Sequence, residues 1–198
     1  MTRIVLASSS PRRIGFLKLL GVPFRKAHPK VDERPLEGES PRAYVLRLAR
    51  AKASAVSSRF PNDWVLGADT TVAMDGVVFG KPENPRDARR ILRALSGRWH
   101  EVLTALAFVH RAQNHTLVAV SKTRVKFRDL SPSEIRWYVE TSEASDKAGS
   151  YASQGKGGLF IERLSGSPSN VIGFPLETFA LLAKRAGLSF DRALKLRR

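Results

Sequence analysis

The feature that most constrains this chain's fold is its punctuation by pairs of a small polar residue and proline. Ser10-Pro11, Ser40-Pro41, Asn84-Pro85 and Ser131-Pro132 each read as a helix start. The polar side chain can accept a hydrogen bond from an amide of the first turn that has no partner inside the helix. Proline suits the first helical position, because the N–H it lacks would be unpaired there anyway. Glu134 stands three residues after Ser131, the spacing of a capping box. The first helix is expected to run to about Leu20, with Gly21 as its stop, and a last one spans about Leu176 to Ala186. Between these helices lie strand-like runs. Arg3 to Ala7 reads as a short buried strand, and Trp64 to Ala68 as another that runs into Asp69. Met74-Asp75-Gly76-Val77 is a hairpin signal, since Asp-Gly suits a type I′ turn. Glu101 to Val109 and Leu117 to Phe127 are rich in β-branched and aromatic residues and read as a long antiparallel pair. The mixture indicates an α/β or α+β domain with a mixed sheet.

Composition removes several classes of function. The chain has 198 residues, and 42% of them are hydrophobic, enough for a sizeable core. It contains no cysteine, so disulfides, thiolate metal sites and a cysteine nucleophile are excluded. The longest apolar run, Val102 to Val109 with Thr104 inside it, is far short of the ~20 residues of a membrane helix. Ile4 to Ala7 is too short for a signal-peptide core. A soluble, cytoplasmic protein with no membrane partner is expected. The formal net charge is +16. A positive field attracts phosphates, which gives a ligand class, polyanions, but no reaction. No motif with interleaved aromatics supports nucleic-acid binding. There is no Walker A sequence, and Gly155-Lys156-Gly157-Gly158 reads as a flexible glycine turn. His100, His110 and His115 lack zinc-protease spacing, and no G-x-S-x-G elbow occurs.

Three places carry chemistry. Arg12 and Arg13 fall in the first turn of a helix, where the dipole is already positive. The conflict is relieved if an anion sits there, held by amides, Ser8 and the arginines, or if the arginines bend away to solvent or to acids. Lys52 lies on the apolar stripe of its helix with Val45, Leu48, Ala49, Ala53 and Val56. It either snorkels to solvent or meets a buried anion. The third place is acidic: Asp32-Glu33, and Asp69 at the expected end of an apolar strand. Lys81 follows in Gly80-Lys81-Pro82. Carboxylates beside a basic phosphate site can hold Mg²⁺ or Mn²⁺ and activate a water, or be surface acids without a role.

Taken together the segments resemble the Maf family of nucleoside triphosphate pyrophosphatases. The matching stretches are LASSSPRR (6–13), VDE (31–33), LARAKA (48–53), GADTTV (67–72), GKP (80–82), LSGRWHEVLTAL (95–106), DKAGSYASQGKGG (146–158) and SNVIGFPL (169–176). They reach nearly the whole chain. The resemblance implies one domain over 1–188, followed by a basic tail over 189–198. It implies an elongated α/β fold of two lobes around a cleft, with a central mixed twisted sheet flanked by helices, similar to inosine triphosphate pyrophosphatases. The implied reaction is hydrolysis of a nucleoside triphosphate to the monophosphate and pyrophosphate with a divalent metal (Mg, Mn or Co). The family has been linked to septum formation.

Within the family, Gln154 in YASQG, Thr70 after Asp69, and His100-Glu101-Val102 resemble the branch that prefers dTTP and UTP. An amide both donates to and accepts from a pyrimidine edge, whereas a carboxylate only accepts. Two residues depart from the family pattern near these segments: Trp99, where a small polar residue is usual, and Lys156 after Gly155. By resemblance Asp69 is the general base, and Glu33 and Asp69 hold the metal. Ser8, Arg12, Lys52 and Lys81 would neutralise the phosphates. Arg13, Thr70 and Gln154 would set substrate choice, with Asp146-Lys147 in the polar wall. His100 and Val125 would build the second lobe. Two alternatives stay open: a pyrophosphatase for modified purine nucleotides such as 7-methyl-GTP, and a non-catalytic basic protein that binds nucleic acid or the septum. The resemblance is compatible with a homodimer, which no sequence feature requires.

Overall fold

The computed structural model describes residues 4–188, so the basic tail expected over 189–198 lies outside the described residues. Its elements are β1 (Ile4–Ala7), α1 (Pro11–Leu19), β2 (Phe24–Ala27), α2 (Pro41–Ser57), β3 (Trp64–Met74), β4 (Val77–Phe79), α3 (Pro85–Leu95), β5 (Trp99–His110), β6 (His115–Phe127), α4 (Pro132–Glu140), β7 (Ile161–Ser165), α5 (Pro168–Ile172) and α6 (Leu176–Arg185). The fold is mixed α/β, as expected.

Three of the four polar-proline pairs cap as their chemistry dictates. Ser40 Oγ accepts from the Ala43 amide at 3.2 Å. Asn84 Oδ1 accepts from the Asp87 amide at 3.0 Å. Ser131 and Glu134 form the complete capping box. The exception is Ser10. It has extended backbone, but its side chain makes no cap bond; instead its own amide donates to Ser8 Oγ at 3.2 Å. Ser167-Pro168, which the sequence reading passed over, opens the short α5 in the same way.

The strands hydrogen-bond in the order β2-β1-β3-β5-β6-β7, with β4 on β3. β1 pairs parallel with β2 and β3, so that Ala7 stands opposite both Ala27 and Gly67. β3 pairs antiparallel with β4, and β6 with β7, which makes the sheet mixed. The Asp75-Gly76 turn has positive φ at both residues, 54° and 79°, as a type I′ hairpin requires. β5 and β6 are neighbours joined by a short connection, which can only return the chain antiparallel.

One expectation needs correction. β3 does not end at Ala68. The β-branched Thr70, Thr71 and Val72 carry it on to Met74, where the hairpin turns it back. Asp69 therefore sits inside a long strand rather than at the end of a short one.

The chain divides into two compact units. Among the described residues, 4–69, 104–121 and 173–188 form the first, and 70–103 and 122–172 the second. The first unit's core gathers Leu6, Leu17, Trp64, Leu66, Phe108, Phe174, Phe179 and Leu182, with Phe174 and Phe179 rings 5.1 Å apart. The second unit's core gathers Val72, Ile91, Leu92, Val125, Phe127, Tyr138 and Phe160. His100 and Val125 are buried there, within the second unit. The contact that matters for chemistry is in the first unit, where α2 lies directly on β3 at Gly67. A Cβ at that position would stand 2.2 Å from the Ala49 carbonyl oxygen and 2.7 Å from the Ala53 amide nitrogen. A glycine inside a strand marks such a close backbone approach.

Candidate active site

The stripe on α2 buries Val45, Leu48, Ala49, Ala53 and Val56 completely, and it takes Lys52 down with them. Lys52 does not snorkel. Its ammonium meets Asp69 Oδ1 at 2.7 Å and Glu33 Oε1 at 3.0 Å. Lys52 and Asp69 are 7% and 6% exposed, whereas half of the Glu33 side chain is open to solvent. The Gly67 contact explains the pairing. It lets the helix backbone approach β3 closely enough for a lysine on α2 to reach a carboxylate two residues along the strand.

Glu33 lies in the segment between β2 and α2, and α2 itself holds that segment. Tyr44 Oη donates to the Glu33 carbonyl at 2.9 Å. Arg47 donates to both oxygens of Glu39 and to the Arg34 carbonyl. Asp32, the other acid of the pair, is turned to Arg34, whose Nη2 lies 2.6 Å from Oδ2. Its bonds to the Arg34 side chain and amide, with little opposition from burial, hold the exposed Asp32 carboxyl down at about 2. Of the two acids, then, only Glu33 joins the lysine.

Burial is the strongest influence on Asp69 and pushes its carboxyl above the ordinary 3.8. The Lys52 charge and hydrogen bond, and the Arg13 charge, pull the other way, while Glu33 adds to the rise. A carboxyl so raised binds a proton more readily than a surface aspartate.

Arg13 turns inward, to two backbone carbonyls and the Ser8 hydroxyl. Nε donates to the Gly173 carbonyl at 3.1 Å, and Nη1 to the Ala68 carbonyl at 3.0 Å and to Ser8 Oγ at 3.3 Å. Burial lowers its pKa, and the Asp69 charge partly offsets that. Arg13 thus straps the start of α1 to the residue before Asp69. Ser8 is buried, and in both of its bonds, from Ser10 and Arg13, its oxygen accepts. Its hydroxyl hydrogen is what it has to offer a phosphate. Arg12, half-buried in the same turn, is the neighbouring cation.

The remaining expected residues belong to the second unit. Thr70 is half-buried on β3. Lys81 is exposed in the bend after β4, where the Gly80 carbonyl accepts from the Gly149 amide at 3.1 Å. Asp146 and Lys147 pair with each other. Gln154 is exposed on a turn that leads into a 3₁₀ helix over Lys156–Phe160. The glycine run is therefore not a flexible turn. Glu143 Oε2 accepts from the Lys156 amide at 3.1 Å, and Oε1 from the Gly157 amide at 3.2 Å.

The sequence matches the family of Maf-like proteins over residues 3–186. The chain belongs to that family. Among curated relatives, the dTTP/UTP pyrophosphatase of Anaeromyxobacter dehalogenans is 53% identical over 187 residues, covering 93% of this chain and 94% of that protein. The dTTP/UTP pyrophosphatase of Myxococcus xanthus is 50% identical over 188 residues, covering 94% of both chains. Among solved structures, a HAM1 protein from Coxiella burnetii covers 94% of this Maf-like chain and 99% of its own, with a TM-score of 0.52 at 16% identity. That likeness concerns the fold alone.

No three His, Asp or Glu residues cluster to hold a metal among the described residues. Two carboxylates do converge on the Lys52 ammonium, and each uses one oxygen there. Their second oxygens are hard donors. One or two carboxylates, completed by substrate phosphates, are the set with which Mg²⁺ is commonly bound. The residues present fit such an ion.

Sequence reasoning missed the residues that hold these segments: Gly67, Tyr44 and Arg47 around Lys52 and Glu33, and separately Glu143 at the glycine run. Only Gly67 carried a readable signal, as a glycine within an apolar strand.

Proposed function

We propose that this Maf-like protein is a nucleoside triphosphate pyrophosphatase that hydrolyses dTTP and UTP to the monophosphate and pyrophosphate. The substrate assignment is supported by relatives of about half identity that bear that name. The chemistry rests on one observation, the buried Lys52 held between Asp69 and Glu33. A lysine neutralises phosphate charge, and an adjacent carboxylate raised by burial takes a proton from water.

In this reading water attacks the α-phosphorus, forming the new oxygen–phosphorus bond there, and gives its proton to Asp69. The bond between the α- and β-phosphates breaks, and pyrophosphate leaves with its electron pair. Lys52, Arg12 and the Ser8 hydroxyl bind phosphate oxygens, as does Lys81. Arg13 fixes Ser8 and the strand before Asp69, and it joins the residues that set substrate choice. Glu33 and Asp69 would hold a divalent cation, which supplies charge neutralisation on the phosphates. Thr70 and Gln154 choose the base. Gln154 offers both a donor and an acceptor, as a pyrimidine edge requires. Asp146 and Lys147 line the polar wall.

The test is pyrophosphate release across UTP, dTTP, CTP, GTP and 7-methyl-GTP, with and without Mn²⁺. UTP and dTTP should be turned over fastest. Asp69→Asn should lower kcat by about 10²-fold or more, the scale of a positioned base, while leaving the circular dichroism spectrum unchanged. A variant with full activity removes Asp69 from the role. Fastest turnover of 7-methyl-GTP would replace the pyrimidine assignment with the purine one.

A further inference from the structure

We propose that Glu143 is a positioning residue for substrate choice, because it ties down the turn that presents Gln154. The inference rests on the reading of Gln154 given above and deepens it.

Glu143 lies just beyond α4, and its carboxylate accepts three hydrogen bonds. Two come from the Lys156 and Gly157 amides, at 3.1 and 3.2 Å. The third comes from Tyr138 Oη at 3.0 Å. Tyr138 Oη in turn accepts from the Ala152 amide at 3.0 Å. One carboxylate and one phenol therefore hold backbone on both sides of Ser153-Gln154-Gly155. Tyr138 is fully buried, with its ring 4.9 Å from that of Phe160. The Lys156 ammonium lies over the Trp137 ring at 5.9 Å.

The glycines of the turn record how closely these anchors approach. A Cβ at Gly155 would stand 2.5 Å from Glu143 Oε1, and one at Gly157 would stand 2.8 Å from Tyr138 Oη. Gly155 and Gly157 are thus the space the anchors occupy. Burial alone would raise the Glu143 carboxyl, yet the bonds from Gly157, Lys156 and Tyr138 hold it below its ordinary value. Between these fixed points, Gln154 is exposed.

A side-chain amide discriminates only when its oxygen and nitrogen are held in defined places. Free to swivel on a loose turn, it offers donor or acceptor to any base. Glu143 touches neither base nor phosphate in this scheme. It acts through Gln154, so its loss should erode discrimination more than turnover.

The experiment compares Glu143→Gln, Glu143→Ala, Tyr138→Phe, Gln154→Ala and the double variant Glu143→Ala/Gln154→Ala. The readouts are kcat and KM for UTP and GTP, with amide hydrogen exchange at Lys156 and Gly157. Glu143→Ala should lower the UTP-to-GTP ratio of kcat/KM by about tenfold, the scale of one lost hydrogen bond. The loss should lie mainly in KM for UTP. Glu143→Gln, which keeps one good acceptor, should lose less. Exchange at both amides should quicken. The double variant should discriminate no worse than Gln154→Ala alone. Additive losses in the double variant, or parental discrimination in Glu143→Ala despite a loss in Gln154→Ala, would overturn the role of Glu143. Parental discrimination in Gln154→Ala itself would overturn the reading of Gln154 and this role with it. If Glu143→Ala does not fold, Glu143→Gln and Tyr138→Phe carry the same comparison.

Discussion

Replacing Gly67 with alanine should weaken the hold of Lys52 on Asp69 while leaving both side chains chemically unchanged. The new Cβ would stand 2.2 Å from the Ala49 carbonyl oxygen, about 1.2 Å short of the 3.4 Å at which ordinary contact begins. The Ala53 amide nitrogen, at 2.7 Å, blocks a small sideways escape. Both obstacles are helix backbone, so no rotamer change relieves them. α2 must recede from β3, and Lys52 recedes with it. Overpacking a core of this kind costs about 1–3 kcal/mol, and the absence of any flexible neighbour places this case near the upper figure. The ion pair, now 2.7 Å, has little slack. Misplacing a positioning group by about 1 Å can cost on the order of 10²-fold in rate. Urea unfolding should show a lower midpoint with the slope unchanged, and pyrophosphate release should show the loss in kcat. Gly15→Ala is the control, because a Cβ there meets nothing within 4 Å. It should be neutral, or stabilising by up to about 1 kcal/mol. If Gly67→Ala kept kcat within about threefold and stability within about 0.5 kcal/mol, the close helix–strand contact would not be what sets the pair.

Two further predictions concern pH. Burial holds the Asp69 carboxyl above 3.8, so activity on the acid side should fall away at a higher pH than a free aspartate would give. Lys52→Gln removes the charge that pulls Asp69 down, so the carboxyl should titrate higher still. A ¹³C carboxyl titration checks this even in an inactive variant, and an unmoved or lowered value would refute the pairing. The second concerns His100. Burial, partly offset by a backbone bond at Arg98, takes it from 6.5 to about 4. Between those values the unfolded chain binds a proton that the folded chain does not, so stability falls as pH drops through this window. The full loss below pH 4 is about 3 kcal/mol, at ~1.4 kcal/mol per unit. His100→Phe should flatten the dependence in urea unfolding, and an unchanged slope would place the effect elsewhere.

Much of the fold was legible because its signals are local. Ser40, Asn84 and Ser131 cap their helices through bonds to residues three positions on, and Asp75-Gly76 turns its hairpin through its own backbone angles. Where local signals failed, a neighbour had intervened. Ser10 looked like a cap, but its side chain accepts no first-turn amide, and its backbone amide donates to Ser8 Oγ. Asp69 looked like a strand end, but β-branched residues and the partner β4 carried the strand onward. The glycine run from Gly155 looked flexible, but Glu143 pins it.

The site divides along the same line. The sequence by itself determined that a lysine sat on an apolar helix face, that acids lay far from it along the chain, and that two arginines crowded a positive helix end. It left their partners open. Tertiary structure chose them: Lys52 turned inward to Asp69 and Glu33, Asp32 outward to Arg34, and Arg13 to the Gly173 and Ala68 carbonyls. The physical reason is range. Caps and turns are settled within a few residues of chain. A buried charge is settled by whichever opposite group the packing of distant segments delivers to it, and here that delivery depends on a glycine thin enough to let α2 lie against β3.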